Sequence, residues 1–496
     1  MAKVTTIIDI GSNSMRMVVL KKTSRFAYHL INESKSKVKI SENCYENNGN
    51  LQEIPMQRAF DALESFINIS QGLKSRKILC VATSALRGAP NAKHFLSRVK
   101  KQLGLSIKVI DGEKEAYLGG VATLNLLPNN NFTTIDIGGG STEFALIENK
   151  TIKQTVSLNI GTVRLKELYF DKNDYEGAKS YILEQLNKLP DVYSNIHKAI
   201  GLGGTARALS RAIIKNTFYP FDSLHGYWYE TKNARELFEN VLSVNSNTEL
   251  KELGIRKDRY DTIKTGTFIF KTILEYLDIK EVTTSGVGVR EGLYLTDILR
   301  TSNHKFPSNF NVSLRSLTDR FIDDSSQIAY LGNNVSKIFE VLQPLHKLDD
   351  SYKSHLVIAA KLQQIGVKLN FYKNTSHSSN FILNGLTYGF THKERILIAS
   401  IIKYSKKDIP TNNEIKEFKE FLPDLKTLQW LSYIHSLNKE LNGEFIKQKF
   451  YYELNKSELI IKSSKKHYII QRALLKLKKP EEFQLILDFN GGEIWK

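Results

Sequence analysis

Cysteine is almost missing from this chain: Cys44 and Cys80 are the only two in 496 residues. That excludes a Cys-rich metal site and makes a reduced, cytoplasmic compartment the simplest inference. Long apolar runs are missing too. None approaches the ~20 residues needed to cross a bilayer, so no membrane partner is expected. A strand-like run, Val4–Ile8, begins almost at the N-terminus and leaves no room there for a signal peptide. Acidic residues are the third shortage, 52 against 70 Lys and Arg, for a net charge of +18. Ten of the basic residues crowd into 445–480, where only two acids stand. Such a concentration reads either as a solvated basic face or as attraction for a polyanion.

The remaining composition is that of an ordinary soluble protein, 41% hydrophobic and 25% charged. A chain of this length exceeds one core, so roughly two to four domains are expected.

One phrase occurs twice. Ile8-Asp9-Ile10-Gly11-Ser12-Asn13-Ser14 returns 127 residues later as Ile135-Asp136-Ile137-Gly138-Gly139-Gly140-Ser141. Each copy lies between two alternating apolar runs, which predicts strand, tight polar loop, strand. Small residues let the loop backbone approach a ligand, and its N–H groups can form an anion site. Asp9 and Asp136 would repel a phosphate directly, so each loop suggests phosphate with a divalent cation between. Two similar lobes, each giving one loop to a shared cleft, is the economical picture.

Along the chain, Lys77–Thr83 reads as a buried strand running into a polar loop with Arg87, a common place for a ligand-facing cation. A helix is predicted from Glu113 towards Leu127. Glu113 and Glu115 diverge by about 200° on it, so only one of them can face a cleft. Glu143 follows the second loop on a strand, an unusual place for an acid. Two more Gly clusters, Gly201–Arg207 and Ser285–Gly292, each lie between a strand and a helix. Gly next to a helix N-terminus exposes N–H groups to an anion. Neither cluster has the Lys-Ser/Thr ending of a P-loop. With the hairpins they make four Gly-rich loops near Arg87, Arg207 and Arg290.

Past residue 300 the character changes. Thr301–Ser308 reads as a linker. Helices are expected at Ile328–Leu342, Ser354–Ile365, Glu394–Tyr404 and Asp424–Leu441. Strands at Phe450–Leu454, Glu458–Ile461 and Phe483–Leu487 surround a basic helix at Ile470–Leu477.

The ordered motifs Asp-Ile-Gly-Ser-Asn-Ser, Ala-Thr-Ser-Ala-Leu-Arg, Gly-Glu-Lys-Glu-Ala, Asp-Ile-Gly-Gly-Gly-Ser-Thr-Glu, Gly-Gly-Thr-Ala-Arg-Ala-Leu and Ser-Gly-x-x-x-Arg-Glu-Gly cover residues 1–300. They resemble the exopolyphosphatase/guanosine pentaphosphate phosphatase family. The resemblance implies an α/β protein with two ribonuclease-H-like lobes, as in actin, Hsp70 and sugar kinases, at 1–127 and 128–300. A helical domain like the His-Asp phosphohydrolases follows at 301–442 and a small α+β tail at 443–496. It implies that a terminal phosphate of inorganic polyphosphate or guanosine pentaphosphate is hydrolysed between the lobes with Mg²⁺ or another divalent cation.

Gly11, Ser12, Asn13 and Ser14 match the family's first phosphate loop, and Gly138, Gly139, Gly140 and Ser141 its second. Arg87 matches the phosphate-binding arginine, Glu115 the catalytic base and Glu143 the second carboxylate. Asp136 matches the aspartate associated with metal and water, and Asp9 stands at the equivalent place in the first copy. Gly203, Gly204, Thr205 and Arg207, and the loop with Arg290, match regions where related proteins hold a nucleotide. A homodimer is a further expectation of the resemblance; nucleic acid is not an expected partner.

The C-terminal half departs from the pattern. Leu356–Asn370 resembles the His-Asp signature helix, yet its metal-binding pair is Gln363 and Gln364, with His355 and His377 nearby. Amides are poor metal ligands, so a second metal centre is not expected. Two other functions compete with hydrolysis: an actin-like ATPase or kinase, and a non-catalytic polyphosphate or alarmone binder. Acids kept beside an anion site weigh against the binder.

Overall fold

The computed structural model describes residues 3–444 and 447–489. The chain separates into two compact units, Met1–Phe310 and Asn311–Lys496.

The first unit holds two sheets of the same design. In the first, β1 (Val4–Ile10), β2 (Met15–Lys22), β3 (Tyr28–Ser36), β4 (Lys77–Ala82) and β5 (Lys108–Val109) lie in the order β3-β2-β1-β4-β5. In the second, β6 (Phe132–Ile137), β7 (Thr142–Glu148), β8 (Thr151–Leu158), β9 (Lys198–Leu202), β10 (Trp228–Glu230) and β11 (Glu281–Thr284) lie as β8-β7-β6-β9-β11-β10. Each begins with two antiparallel hairpins and continues with parallel strands beside the first strand. This is the ribonuclease-H-like order, twice, and both repeated phrases form the first hairpin of their sheet.

The central strands β1 and β6 are buried on both faces, as their β-branched and aliphatic runs require. Helix Glu53–Gly72 covers the first sheet with Ala59, Phe60, Leu63 and Phe66, the spacing of one helical face. Helix Gly112–Leu126 is shared between the lobes. Its Leu118 packs with Val81 of the first sheet, and Leu124 packs with Phe132 and Ala145 of the second. Glu115 is thereby held where the lobes meet.

Thr301–Ser308 is not a free linker. The Asn125 amide donates to the His304 carbonyl at 2.8 Å, the Phe306 N–H donates back to Asn125 at 3.0 Å, and Lys305 reaches Thr151 at 2.9 Å. The break in the chain comes after Phe310, once these polar groups are satisfied by the first unit.

The second unit is helical, with a three-stranded sheet of β12 (Tyr451–Asn455), β13 (Glu458–Lys462) and β14 (Gln484–Asp488). The tail expected as a domain of its own shares one hydrophobic core with the helices, from Leu317 to Phe489. Trp430 stacks on Phe483 with centroids 5.9 Å apart, tying the tail to the helices. The signature helix ends at Leu362, and Gln363 and Gln364 lead into a short turn at Ile365–Lys368. The basic helix runs Tyr468–Leu474, starting two residues and ending three residues earlier than its periodicity suggests.

Candidate active site

Both hairpin loops open on one polar cleft of about 140 Å³ in the first unit. Their carbonyls are consumed by neighbours. Ser41 donates to the Ser12 carbonyl and Lys39 to that of Asn13. Thr162 and Val163, at the start of helix Thr162–Leu168, donate to the carbonyls of Gly138 and Gly139 at 3.0 and 2.8 Å. The N–H groups of Ser12, Asn13, Gly139 and Gly140 have no protein acceptor among the described residues. Donors left over at two facing loops make an anion cradle.

The loops nearly touch. A Cβ added to Gly139 would sit 2.5 Å from the Ser12 Cβ, so glycine is needed for that approach. Gly203 adopts a φ of +74°, and a side chain there would strike the Asp136 carboxylate.

Four arginines and three carboxylates share the wall: Arg16, Arg207, Arg259 and Arg290 with Asp9, Asp136 and Glu115. Gly11, Ser12, Asn13, Ser14, Gly138, Gly139, Gly203, Gly204 and Thr205 complete the expected set on it. Arg207 is anchored by the carbonyls of Ser285 and Val287 at 2.7 and 3.0 Å, and Arg290 by Glu33 at 2.9 Å.

Arg87 is elsewhere. Its guanidinium spans the Ile110 carbonyl and Glu115 Oε2, each at 3.0 Å, with Ser141 Oγ at 3.3 Å and Glu143 Oε1 at 3.9 Å. It joins the two glutamates and is not part of the cleft wall. Gly140, Ser141 and Glu143 also stand behind the wall, Glu143 accepting from Ser157 at 2.8 Å. Of the helical pair, Glu115 is buried and Glu113 exposed, so their divergence resolves in favour of Glu115.

Burial dominates the electrostatics. It raises Glu115 well above the ordinary carboxylate range; the adjacent Glu143 adds to this and Arg87 opposes it. Burial likewise lifts Glu143 to about 7 against hydrogen bonds from Ser141 and Ser157, and Asp9 to about 6 against Arg290 and Arg16. Asp136 is raised by the same cause. Burial and the neighbouring Arg16 and Arg290 lower Arg207 to about 10. Burial alone would lower Arg290, but Glu291, Glu33 and Asp9 hold it above its usual value. The site is a set of like charges crowded on both sides, suited to a ligand that is itself highly charged.

Two arginines of the wall were missed by the sequence reading. Arg16 carried a signal: when the two copies are superposed, Arg16 falls on Glu143. Asp9 pairs across its hairpin with Arg16 as Asp136 pairs with Glu143. Arg259 carried none, since Lys257-Asp258-Arg259 resembles any solvated turn.

Among the described residues no three His, Cys, Asp or Glu side chains gather closely enough to hold a metal by themselves. Asp9, Asp136 and Glu143 therefore do not form a protein cage. Two carboxylates on the wall still suit Mg²⁺, which keeps waters and takes the rest of its shell from substrate phosphates.

A cleft of loop N–H groups and arginines between two ribonuclease-H-like lobes defines an actin-like protein built to handle phosphoryl groups. The sequence narrows that class. Residues 18–301 match the Ppx/GppA phosphatase family and 311–481 match Ppx/GppA phosphatase, domain III. This chain belongs to the Ppx/GppA phosphatase family and is a phosphohydrolase. It is 25% identical over 412 residues to a guanosine-5'-triphosphate,3'-diphosphate pyrophosphatase of Photobacterium profundum, covering 81% of this chain and 80% of that one. It is similar to the crystal structure of the Aquifex aeolicus family member, with TM-score 0.51, 27% identity, and coverage of 61% of this chain and 99% of that one. An exopolyphosphatase from Cytophaga hutchinsonii shares the fold, with TM-score 0.56, 23% identity, and coverage of 60% and 98%.

No helix among the described residues is long and apolar enough to cross a membrane.

Proposed function

We propose that this chain removes the terminal phosphate of inorganic polyphosphate, of guanosine pentaphosphate, or of both, by attack of water in the cleft. The observation that carries the reading is a buried carboxylate of raised proton affinity, Glu115, beside an anion cradle walled by four arginines. The names of the relatives, a guanosine pentaphosphate-type pyrophosphatase and an exopolyphosphatase, agree with it.

Phosphoryl transfer needs positioning and charge neutralisation more than covalent help. The loop N–H groups and Arg16, Arg207, Arg259 and Arg290 hold the phosphate chain. Glu115 orients the water and accepts its proton as the new P–O bond forms and the bridging P–O bond breaks. The shortened chain leaves with the bridging oxygen. Arg87 and Glu143 touch Glu115 or its partner rather than the cleft, so they act as positioning residues. Asp9 and Asp136 would hold Mg²⁺ or another divalent cation, which neutralises the phosphate oxygens and the leaving group. The solvated basic stretch at 447–479 suits the approach of a polyanion.

Phosphate release with Mg²⁺ from long polyphosphate and from guanosine pentaphosphate, side by side, tests the proposal. Glu115→Gln is expected to bind both yet lose turnover by about 10²–10⁴-fold. The ratio of kcat/KM values then names the preferred substrate. Undiminished release from Glu115→Gln would move the base elsewhere, and consumption of ATP without release from either would favour a kinase.

A further inference from the structure

A second charged cavity lies at the other end of the first lobe. β1 carries Asp9 towards the active cleft at its C-terminal end. At its N-terminal end, Lys3, Val4 and Thr5 line an open pocket of about 630 Å³. Thr5 in the pocket and Asp9 in the cleft stand on the same extended strand, roughly 13 Å apart along it. The pocket's walls come from the end of β2, the start of β4 and the end of helix Val289–Ile298.

Its charge is lopsided. Lys3, Lys22, Arg25, Arg76, Lys77 and Arg300 face one carboxylate, Asp297. Asp297 is already taken by Lys77, at 2.6 Å. Among the described residues the other five have no carboxylate partner. Lys22 gives the electrostatic consequence: its proton affinity is lowered by burial and then by Lys3, with Asp297 opposing and Arg25 adding to the repulsion. Arg25 turns instead to the Phe26 ring, 4.8 Å from its centroid. Six cations around a single carboxylate repel one another in the bare protein and leave free energy for an anion to recover. The volume is in the range of small-ligand pockets.

We propose that this pocket is a second anion site, taking a multiply charged phosphate chain of about the size of a triphosphate. It is separate from the cleft and does not depend on the reaction proposed there. All its counter-charge comes from protein side chains, so binding needs no divalent cation. The chain could be free phosphate polymer or the phosphate arm of a nucleotide, and both present the same oxygens to Lys22 and Arg76.

The test is calorimetric titration of the full chain with sodium tripolyphosphate in EDTA at low salt, with GTP as a parallel probe. Binding is expected in EDTA and is expected to weaken as salt rises. The double variant Lys22→Glu/Arg76→Glu is expected to weaken binding by at least about tenfold while phosphate release in the cleft with Mg²⁺ is unchanged. The milder Arg25→Gln and Arg300→Gln, checked by thermal melting, should each lose a few-fold of affinity and no stability. Equal affinities for tripolyphosphate and GTP assign the pocket to the phosphate chain alone, and tighter GTP binding assigns it to a nucleotide. Wild-type affinity in the double variant, with binding abolished by Arg16→Gln, would place all binding in the cleft and overturn the proposal.

Discussion

The two hairpins started from the same phrase and were put to different uses. In the first, Gly11-Ser12-Asn13-Ser14 leads to a strand residue, Arg16, that faces the cleft. In the second, Gly138-Gly139-Gly140-Ser141 leads to Glu143 at the equivalent position, behind the wall and tied to Ser157. The loops also divide the steric work. Gly139 must be bare because Ser12 approaches it, whereas a Cβ on Gly11 would meet only the Ser14 carbonyl, at 3.3 Å. Both copies supply backbone donors; the first adds a cation and a side-chain donor, and the second adds a proton-holding carboxylate. A duplicated scaffold has become one asymmetric site.

Reversing the charge of the first copy is the most severe way to break this division. Arg16→Glu gives both hairpins an acid at the same position, and kcat/KM is expected to fall by about a thousandfold with the fold intact by circular dichroism. Arg16→Lys should recover only part of that, since a point charge cannot span two phosphate oxygens.

Next comes the loop contact. Gly139→Ala forces the loops apart by a few tenths of an ångström or more. It should cost about 1–3 kcal/mol of stability on overpacking grounds, along with most of the activity. Gly11→Ala should do less on both measures. Equal effects in denaturant titrations would remove the steric asymmetry.

The carboxylate sharpens the comparison through pH. Glu143 has its folded-state value raised to about 7 by burial, so its charged form is penalised in the folded protein. That penalty is fully present above pH 7 and disappears as pH falls towards the ordinary carboxylate value. Glu143→Gln is therefore expected to raise stability by about 1–3 kcal/mol at pH 8 and by nothing resolvable near pH 4.5. The same change removes a negative neighbour from Glu115, so the acid limb of kcat should move to lower pH. An unmoved limb would mean that Glu143 does not set the proton affinity of Glu115.

The smallest effect is expected where the lobes meet through exposed pairs. Lys35–Asp258 at 2.5 Å and Lys37–Asp261 at 2.9 Å join β3 and the residues after it to the second lobe. Lys37→Ala should change stability by about 0–1 kcal/mol, with the difference vanishing in high salt.

Much of this was legible in the residues. The repeated Asp-Ile-Gly phrase placed both hairpins, and alternation with β-branched residues placed their strands. The 200° divergence of Glu113 and Glu115 anticipated that one would be buried, and the Gly clusters at 201 and 285 fell between strand and helix as read. Less was visible where partners are distant in sequence. Arg87 stands in a polar loop after a strand, so it looked ligand-facing; only the packing of helix Gly112–Leu126 brings Glu115 close enough to claim it. Thr301–Ser308 is polar and looked like a linker because its partners, Asn125 and Thr151, are more than 150 residues away.

The sequence by itself determined the elements, the duplication and the kind of chemistry, because periodicity, turn residues and loop composition are local properties of the chain. The tertiary structure alone decided which charges share the cleft, which glutamate faces it, and that a more strongly basic pocket lies at the far end of the first sheet. Those assignments depend on side chains meeting across hundreds of residues, and on how burial shifts proton affinity once they meet. Neither is written in any local stretch of sequence.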